Sequence, residues 1–279
     1  MRASDPEVVV DGLYFPECLR WRDGRLWFSD MFAGTVHRTS GTGGTVDTVA
    51  EVPGYAGGLG WLPGGDLLVV AMLERQVMRV GVDGGVRTHA DLRPLLEHPA
   101  NDMYVDHTGR AFVSGYGYDV DHGAPQQPVQ LAVVEPGGSA CLSGPGLVFP
   151  NGIDRRAGSA ELLVAETFAD RVSVLPLGDG DGVLGPSRPL ATFAAGDGPD
   201  GLCADGGGGA WVACAFGQRA VHITADGELD HVVPMPGRGV LCCLLGGERG
   251  STLYLAIADT DEEYAARYRT GSILAVELS

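Results

Sequence analysis

The 279-residue sequence contains no lysine: all 19 of its basic residues are arginine. Chemistry that needs a lysine amine, such as Schiff-base formation or Walker-type phosphate binding, is therefore excluded. No stretch approaches the ~18 consecutive apolar residues of a membrane-spanning helix, and the opening MRASDPEVVV carries no long apolar run of the kind a secretory signal uses. The six cysteines, at positions 18, 141, 203, 214, 242 and 243, include no C-x-x-C pair. Reduced core thiols in a cytoplasmic protein are the expectation. Basic runs are missing as well. With 36 acidic residues and a formal net charge of -17, neither nucleic acid nor an anionic membrane is an expected partner. Sustained helical periodicity is also absent, and only Asp261–Arg269 reads as a short helix.

What the chain has in quantity is glycine and short apolar runs. Gly 44 and Pro 17 would favour disorder in a polar chain, but 44% of the residues are apolar, enough to offset chain entropy. Many short strands joined by glycine-rich turns fit this composition. Six segments repeat one pattern: a polar or small residue, a short apolar stretch, a turn with Gly or Asp, then an apolar run. They are ECLRWRDGRLWFSD from Glu17, GGLGWLPGGDLLVVA from Gly57, NDMYVDHTGRAFVSG from Asn101, NGIDRRAGSAELLVAE from Asn151, DGLCADGGGGAWVAC from Asp200 and CCLLGGERGSTLYLA from Cys242. Their starts lie 40, 44, 50, 49 and 42 residues apart. That spacing predicts an all-β fold, a six-bladed β-propeller with four-stranded blades around a central metal-binding channel, formed by residues 1–279 as a single domain. A β-sandwich is the competing architecture, and units of near-equal length argue against it. Asp23-Gly24, Gly64-Gly65 and Thr108-Gly109 mark hairpin turns. EVVVDG, from Glu7, is placed to pair with the last blade and close the ring, which removes exposed sheet edges.

Equivalent residues of successive blades lie around the axis at similar depth. The six repeat heads are Glu17, Gly57, Asn101, Asn151, Asp200 and Cys242, so four oxygen donors converge on one end of the channel. Crowded carboxylates repel, and a divalent cation would neutralise Glu17 and Asp200 while taking amide carbonyls as neutral ligands. With no His or Cys among these four, hard cations fit: Ca²⁺ first, with Mg²⁺, Mn²⁺ or Zn²⁺ as alternatives. The competing reading is that the Asn-Gly and Asp-Gly pairs merely cap turns.

A set of short motifs carries a family resemblance. In order they are Phe15-Pro16-Glu17; Asn101-Asp102, with Val105-Asp106 and Gly109-Arg110 after it; Pro150-Asn151-Gly152-Ile153; Pro199-Asp200-Gly201-Leu202; Cys243-Leu244-Leu245-Gly246-Gly247; and Leu253-Tyr254-Leu255. In this the sequence resembles the gluconolactonase, luciferin-regenerating enzyme and regucalcin (senescence marker protein) family of six-bladed propellers, over nearly its whole length. The resemblance implies a metal-dependent hydrolase of a lactone or related ester. It places the metal ligands on Glu17, Asn151 and Asp200 and a substrate-proximal asparagine on Asn101. On this reading the metal is the Lewis acid, Asp200 the general base, and Asn101 a catalytic residue that orients substrate or water. Glu166 is a further candidate acid.

The departures from the family pattern bear on substrate. Members similar to regucalcin carry an arginine two residues before the Asn-Asp pair that helps hold a polyol, and this chain has Pro99 there. Where they carry a glycine-threonine stretch and a substrate-facing acid, it reads Ser114-Gly115-Tyr116-Gly117-Tyr118-Asp119. Tyr116 and Tyr118 are therefore candidates to bind substrate, with simple packing as their competing role. The small-molecule substrate is expected to be less polar than a sugar lactone. A cysteine nucleophile drawn from Cys18, Cys203 or Cys242 lacks a histidine placed on the axial ring, since His37, His89 and His222 read as surface or loop residues. Two further functions stay open from sequence: a metal-dependent lyase, cyclase or isomerase acting on a biosynthetic intermediate, and a metal-stabilised binding propeller without turnover.

Overall fold

A computed structural model describes residues 3–120, 122–178 and 182–279. The six repeats form six four-stranded antiparallel sheets set in a ring, the blades of a β-propeller. The axial strands are Pro16–Arg22 in blade I, Ala56–Trp61 in blade II and Ala100–Val105 in blade III. Pro150–Arg155, Pro199–Ala204 and Gly239–Gly246 hold the same place in blades IV, V and VI. Blades I to V step outward in chain order. Blade VI instead takes its outermost strand from Glu7–Leu13, which runs antiparallel to Gly271–Glu277 from Glu7↔Ala275 to Leu13↔Gly271. The ring closure expected of the opening EVVVDG is this pairing.

The second strand of a blade is covered on both faces, by its own neighbours and by the adjacent blades. Leu67–Ala71, Ala111–Gly115 and Ala210–Cys214 are accordingly buried at every residue and read as continuous apolar runs, not as alternation. Phe28, Phe112 and Trp211 are among the fully buried large side chains, and each such group contributes ~1.5–3 kcal/mol by leaving water. Trp27 meets Trp61 edge-on at 5.3 Å between blades I and II, and Trp21 stacks on Tyr254 at 5.6 Å between blades I and VI. In blade I the hairpin at Asp23-Gly24 holds both residues left-handed, at φ 52 and 70, the type I′ geometry that suits the twist of the flanking strands.

One irregularity recurs in all six axial strands and positions the site. Register breaks between Glu17 and Arg20, Ala56 and Leu59, Ala100 and Met103, Pro150 and Ile153, Pro199 and Leu202, and Val240 and Cys242. Such bulges bend a strand and re-aim its side chains, and here they fall at or next to the repeat heads. The glycines beside them allow adjacent axial strands to touch. A Cβ on Gly152 would sit 2.6 Å from the Asp200 carbonyl oxygen, and one on Gly201 would sit 2.7 Å from the Cys242 Cα. Asn151-Gly152 and Asp200-Gly201 lie inside axial strands, so they do not cap turns.

The one α-helix among the described residues is Glu262–Ala265, with Asp261 capping it by accepting from the Tyr264 amide. It is shorter than the Asp261–Arg269 span expected from sequence. No helix among the described residues is long and apolar enough to cross a membrane.

Candidate metal centre

At one end of the channel Glu17, Asn101, Asn151 and Asp200 line a single cavity of about 90 Å³. The bulges of four different blades bring them there. Asp200 is 6% exposed, and its Oδ1 is buried with no hydrogen-bond partner. Glu17 Oε2 accepts one long bond, 3.3 Å from the amide of Cys18, a residue held at φ 52. Burial pushes the Glu17 carboxyl well above the usual carboxylate range, and the charges of Asp200 and Asp102 add to the effect. Asp200 is likewise pushed well up, first by burial, then by Asp102 and Glu262, with Asn151 partly opposing. Asn151 Nδ2 donates to Thr167 Oγ1 at 3.3 Å, and that hydroxyl donates to the Pro199 carbonyl at 2.9 Å. The anchored carboxamide keeps its carbonyl oxygen for another partner.

An unpartnered buried acceptor costs ~1–3 kcal/mol, and more when charged. Two converging carboxylates with neutral amide oxygens beside them are the donor set of a hard divalent cation. The residues present therefore fit such an ion, with Glu17, Asn151 and Asp200 as the groups that would hold it.

Blade VI departs from the expected register. Its break falls at Leu241, and Leu241 lines the cavity in place of Cys242. Cys242 Sγ instead accepts from the Leu19 amide at 3.4 Å, and burial pushes its thiol well up, as it does for Cys18. Neither sulfur lines the cavity, which removes them as nucleophiles there. Gly57 has no side chain to offer. Tyr116 lines the cavity, whereas Tyr118 stands behind it, 6.2 Å from Phe149 and 6.3 Å from Phe168.

Glu166 points away from the site. It is fully buried and paired with Arg171 Nε at 2.6 Å, and its Oε2 accepts from the Val148 amide at 2.8 Å. It holds the loop that enters blade IV, much as Asp30 accepts from the Tyr14 and Phe15 amides at the entrance to blade I. His222 is not a surface residue either. It is 8% exposed and sits between Asp205, 2.8 Å from Nε2, and Asp230, 2.6 Å from Nδ1. The group His222, Asp230 and His231 has the composition of a metal site, but two carboxylates already take both nitrogens of His222. An ion-pair network describes it better.

Three elements of the cavity escaped the sequence reading. Thr167 orients Asn151; Glu262, from the short helix of blade VI, brings a third carboxylate to the mouth. The third is an aromatic wall. Phe149 lies 4.4 Å from Tyr116 and 4.8 Å from Phe168, ring centre to ring centre, and Phe168 stacks at 6.3 Å on Phe216. Phe149 is held at φ 49, immediately before Pro150. A left-handed conformation costs an L-residue ~1–2 kcal/mol, and a following proline adds to the restriction. The matching position before Pro199 in blade V is Gly198, at φ 60.

Deeper along the axis Arg20 crosses from blade I to blades II and III. It donates to the carbonyls of Leu19, Leu59 and Met103 and pairs with Asp102 Oδ1 at 2.7 Å. A larger cavity of about 390 Å³ opens at the opposite end of the channel, where Arg20 and Asp154 face apolar walls. Both of these charged groups are already engaged: Arg20 as above, and Asp154 by the Arg155 and Ala204 amides. Unsatisfied chemistry sits at the smaller cavity, despite its size.

Comparison with known proteins agrees with this architecture. Residues 15–259 match the SMP-30/Gluconolactonase/LRE-like region. A 6-deoxy-6-sulfogluconolactonase from Pseudomonas putida is 28% identical over 254 residues, covering 89% of this chain and 84% of that protein. Regucalcin from Danio rerio is 24% identical over 246 residues, covering 85% and 80%. Among solved structures, a luciferin-regenerating enzyme superposes with a TM-score of 0.82 at 20% identity, over 98% of this chain and 95% of the other, a likeness of fold. With its model matching from the first axial strand through the second strand of blade VI, the chain belongs to the SMP-30/gluconolactonase/LRE-like family.

Proposed function

We propose that this protein is a metal-dependent hydrolase of a lactone or related cyclic ester, a single-domain cytoplasmic enzyme whose substrate is less polar than a sugar lactone. The observation that carries the reading is the buried, unpartnered Asp200 Oδ1 beside Glu17, Asn101 and Asn151. A divalent cation held by Glu17, Asn151 and Asp200, Ca²⁺ before Mg²⁺, Mn²⁺ or Zn²⁺, would supply Lewis acidity toward the ester carbonyl.

The chain's own groups supply the rest. Asp200 Oδ1 takes a proton from the attacking water as the water oxygen bonds to the acyl carbon. The bond from the acyl carbon to the ring oxygen then breaks, and that oxygen leaves as a hydroxyl carrying the proton. Asn101 orients water or substrate with its carboxamide, and Tyr116 covers one side of the reacting group. The family's lactonase members support the reaction class. The lower polarity rests on Pro99 and on the cavity wall, where no arginine appears among the described lining residues.

The test is turnover of a lactone panel by the calcium-loaded protein and by Asp200→Asn. Hydrolysis by the wild type, abolished in a variant that keeps its circular dichroism and melting behaviour, is the expected result. No turnover of any lactone or ester, with one metal ion bound per chain, refutes it.

A further inference from the structure

We infer, building on the lactone-hydrolase reading above, that the substrate carries an aryl ring and that Phe149 is the residue that selects it. The backbone makes the first argument. In blades IV and V the residue before the axial strand is left-handed and precedes proline: Gly198 before Pro199, Phe149 before Pro150. Glycine adopts this conformation freely, whereas phenylalanine is strained in it. Strain of this kind persists where the side chain has a task that glycine cannot perform, and in blade IV the ring is delivered to the cavity wall.

The second argument is the company it keeps. The ring is 7% exposed and touches Tyr116 on one side and Phe168 on the other, and all three rings line the same cavity as Asn151 and Asp200. Phe216, 49% exposed, continues the row toward solvent. An aromatic surface of this kind favours another aromatic ring, stacked or edge-on, at centroid separations of about 4.5–7 Å. Apart from the Tyr116 hydroxyl it offers no hydrogen-bonding group to a polyol, whose hydroxyls need donors and acceptors along their whole length. The oxygen donors Glu17, Asn101, Asn151 and Asp200 and the three rings line one and the same cavity. An aryl group fused to, or one bond from, the lactone ring would meet both at once.

The experiment compares dihydrocoumarin, a benzo-fused δ-lactone, with δ-valerolactone and glucono-δ-lactone, using wild type, Phe149→Gly and Phe149→Leu. The glycine variant relieves the backbone strain and the leucine variant keeps apolar bulk, so at least one reports even if the other folds poorly. The wild type should prefer dihydrocoumarin over δ-valerolactone by tenfold or more in kcat/KM. Phe149→Gly should lose roughly 10- to 200-fold on dihydrocoumarin, mainly through KM, the range expected of apolar pocket contacts. On δ-valerolactone it should stay within about threefold, and Phe149→Leu should fall between. Equal activity of the wild type on the aryl and aliphatic lactones, or equal losses on both in the variants, overturns the inference. If no lactone is turned over, calorimetry with 3-(2-hydroxyphenyl)propanoate decides separately. Binding to the wild type that is lost in Phe149→Gly sustains the aryl site while the hydrolase reading falls. No binding to the wild type sinks the aryl site as well.

Discussion

Replacing Arg20 with leucine should destabilise the protein severely and, at the same time, make it more dependent on calcium. The guanidinium ties three blades together through the Leu19, Leu59 and Met103 carbonyls, and it holds Asp102 at 2.7 Å. The Arg20 side chain is 20% exposed and that of Asp102 only 4%, so Arg20 is the charge that compensates this carboxylate, which also accepts from the Met103 amide at 2.8 Å. Removing one member of a buried pair costs ~3–5 kcal/mol, because the other charge is left uncompensated. Asp102 is also one of the charges that push both Glu17 and Asp200 upward. Freed of Arg20, it presses harder on Glu17 and Asp200, and a cation bound there would offset more repulsion. Urea unfolding at pH 7 in EDTA should register the ~3–5 kcal/mol loss, and saturating Ca²⁺ should restore more stability to the variant than it adds to wild type. The double variant Arg20→Leu/Asp102→Leu should recover part of the loss, since no buried charge is then left uncompensated, although the Leu19, Leu59 and Met103 carbonyls still lose their donor. A single-variant loss below about 1 kcal/mol, or a double variant as unstable as the single, would refute the account of the axis.

Three further outcomes follow from other parts of the molecule. Gly152→Ala sets a Cβ against the backbone of Asp200, Gly201 and Leu202, so blades IV and V must part; a loss of ~1–3 kcal/mol in urea unfolding is expected, together with weaker Ca²⁺ binding by calorimetry. Glu262→Gln removes a carboxylate at the mouth whose charge reaches both Glu17 and Asp200; Ca²⁺ affinity should fall roughly two- to fivefold at low ionic strength, with the difference vanishing near 1 M salt. For His222, burial alone would lower its pKa, yet hydrogen bonds to Asp205 and Asp230 raise it above the ordinary value. Its contribution is therefore fully present below about pH 6.5 and lost as pH rises through the folded-state value. His222→Gln should cost on the order of 2 kcal/mol at pH 6 and clearly less at pH 9, and an equal cost at both pH values would contradict this.

The repeat made most of the axis readable from sequence. In four of the six blades a polar residue, Glu17, Asn101, Asn151 or Asp200, stands at the axial bulge, and the chain's two asparagines are both among them. The sixth position was misplaced by one residue because Leu241 carries no polar signal, while the adjacent Cys242 does. Glu262 was hidden for a different reason. It comes from the connection between the second and third strands of blade VI, outside the repeated segment, and only the closed ring swings it over the channel. Composition says nothing about the strain at Phe149, because a backbone angle leaves no trace in residue type except where glycine marks it, as at Gly198. His222 misled through its strand. Register slips by one residue between His222 and Ile223, so Asp230 becomes the extra residue opposite them and turns its carboxylate to His222.

The way blade VI is assembled also sets an order of events during synthesis. Of the strands of the ring, Glu7–Leu13 leaves the ribosome before all the others, yet its partner, Gly271–Glu277, follows all of them. Blades I to V can each complete from contiguous chain as they emerge, while Glu7–Leu13 travels unpaired until blade VI is made. Joining it closes the longest loop in the molecule, an entropic step that local hairpins do not face. Until blade VI is in place, Glu17, Asn101, Asn151 and Asp200 lack the wall that carries Leu241 and Glu262. A chain in which Glu7–Leu13 is not yet docked, or has been clipped away, would present Gly271–Glu277 as a bare edge to its neighbours, so the step that closes the ring is also the one that ends the risk of self-association.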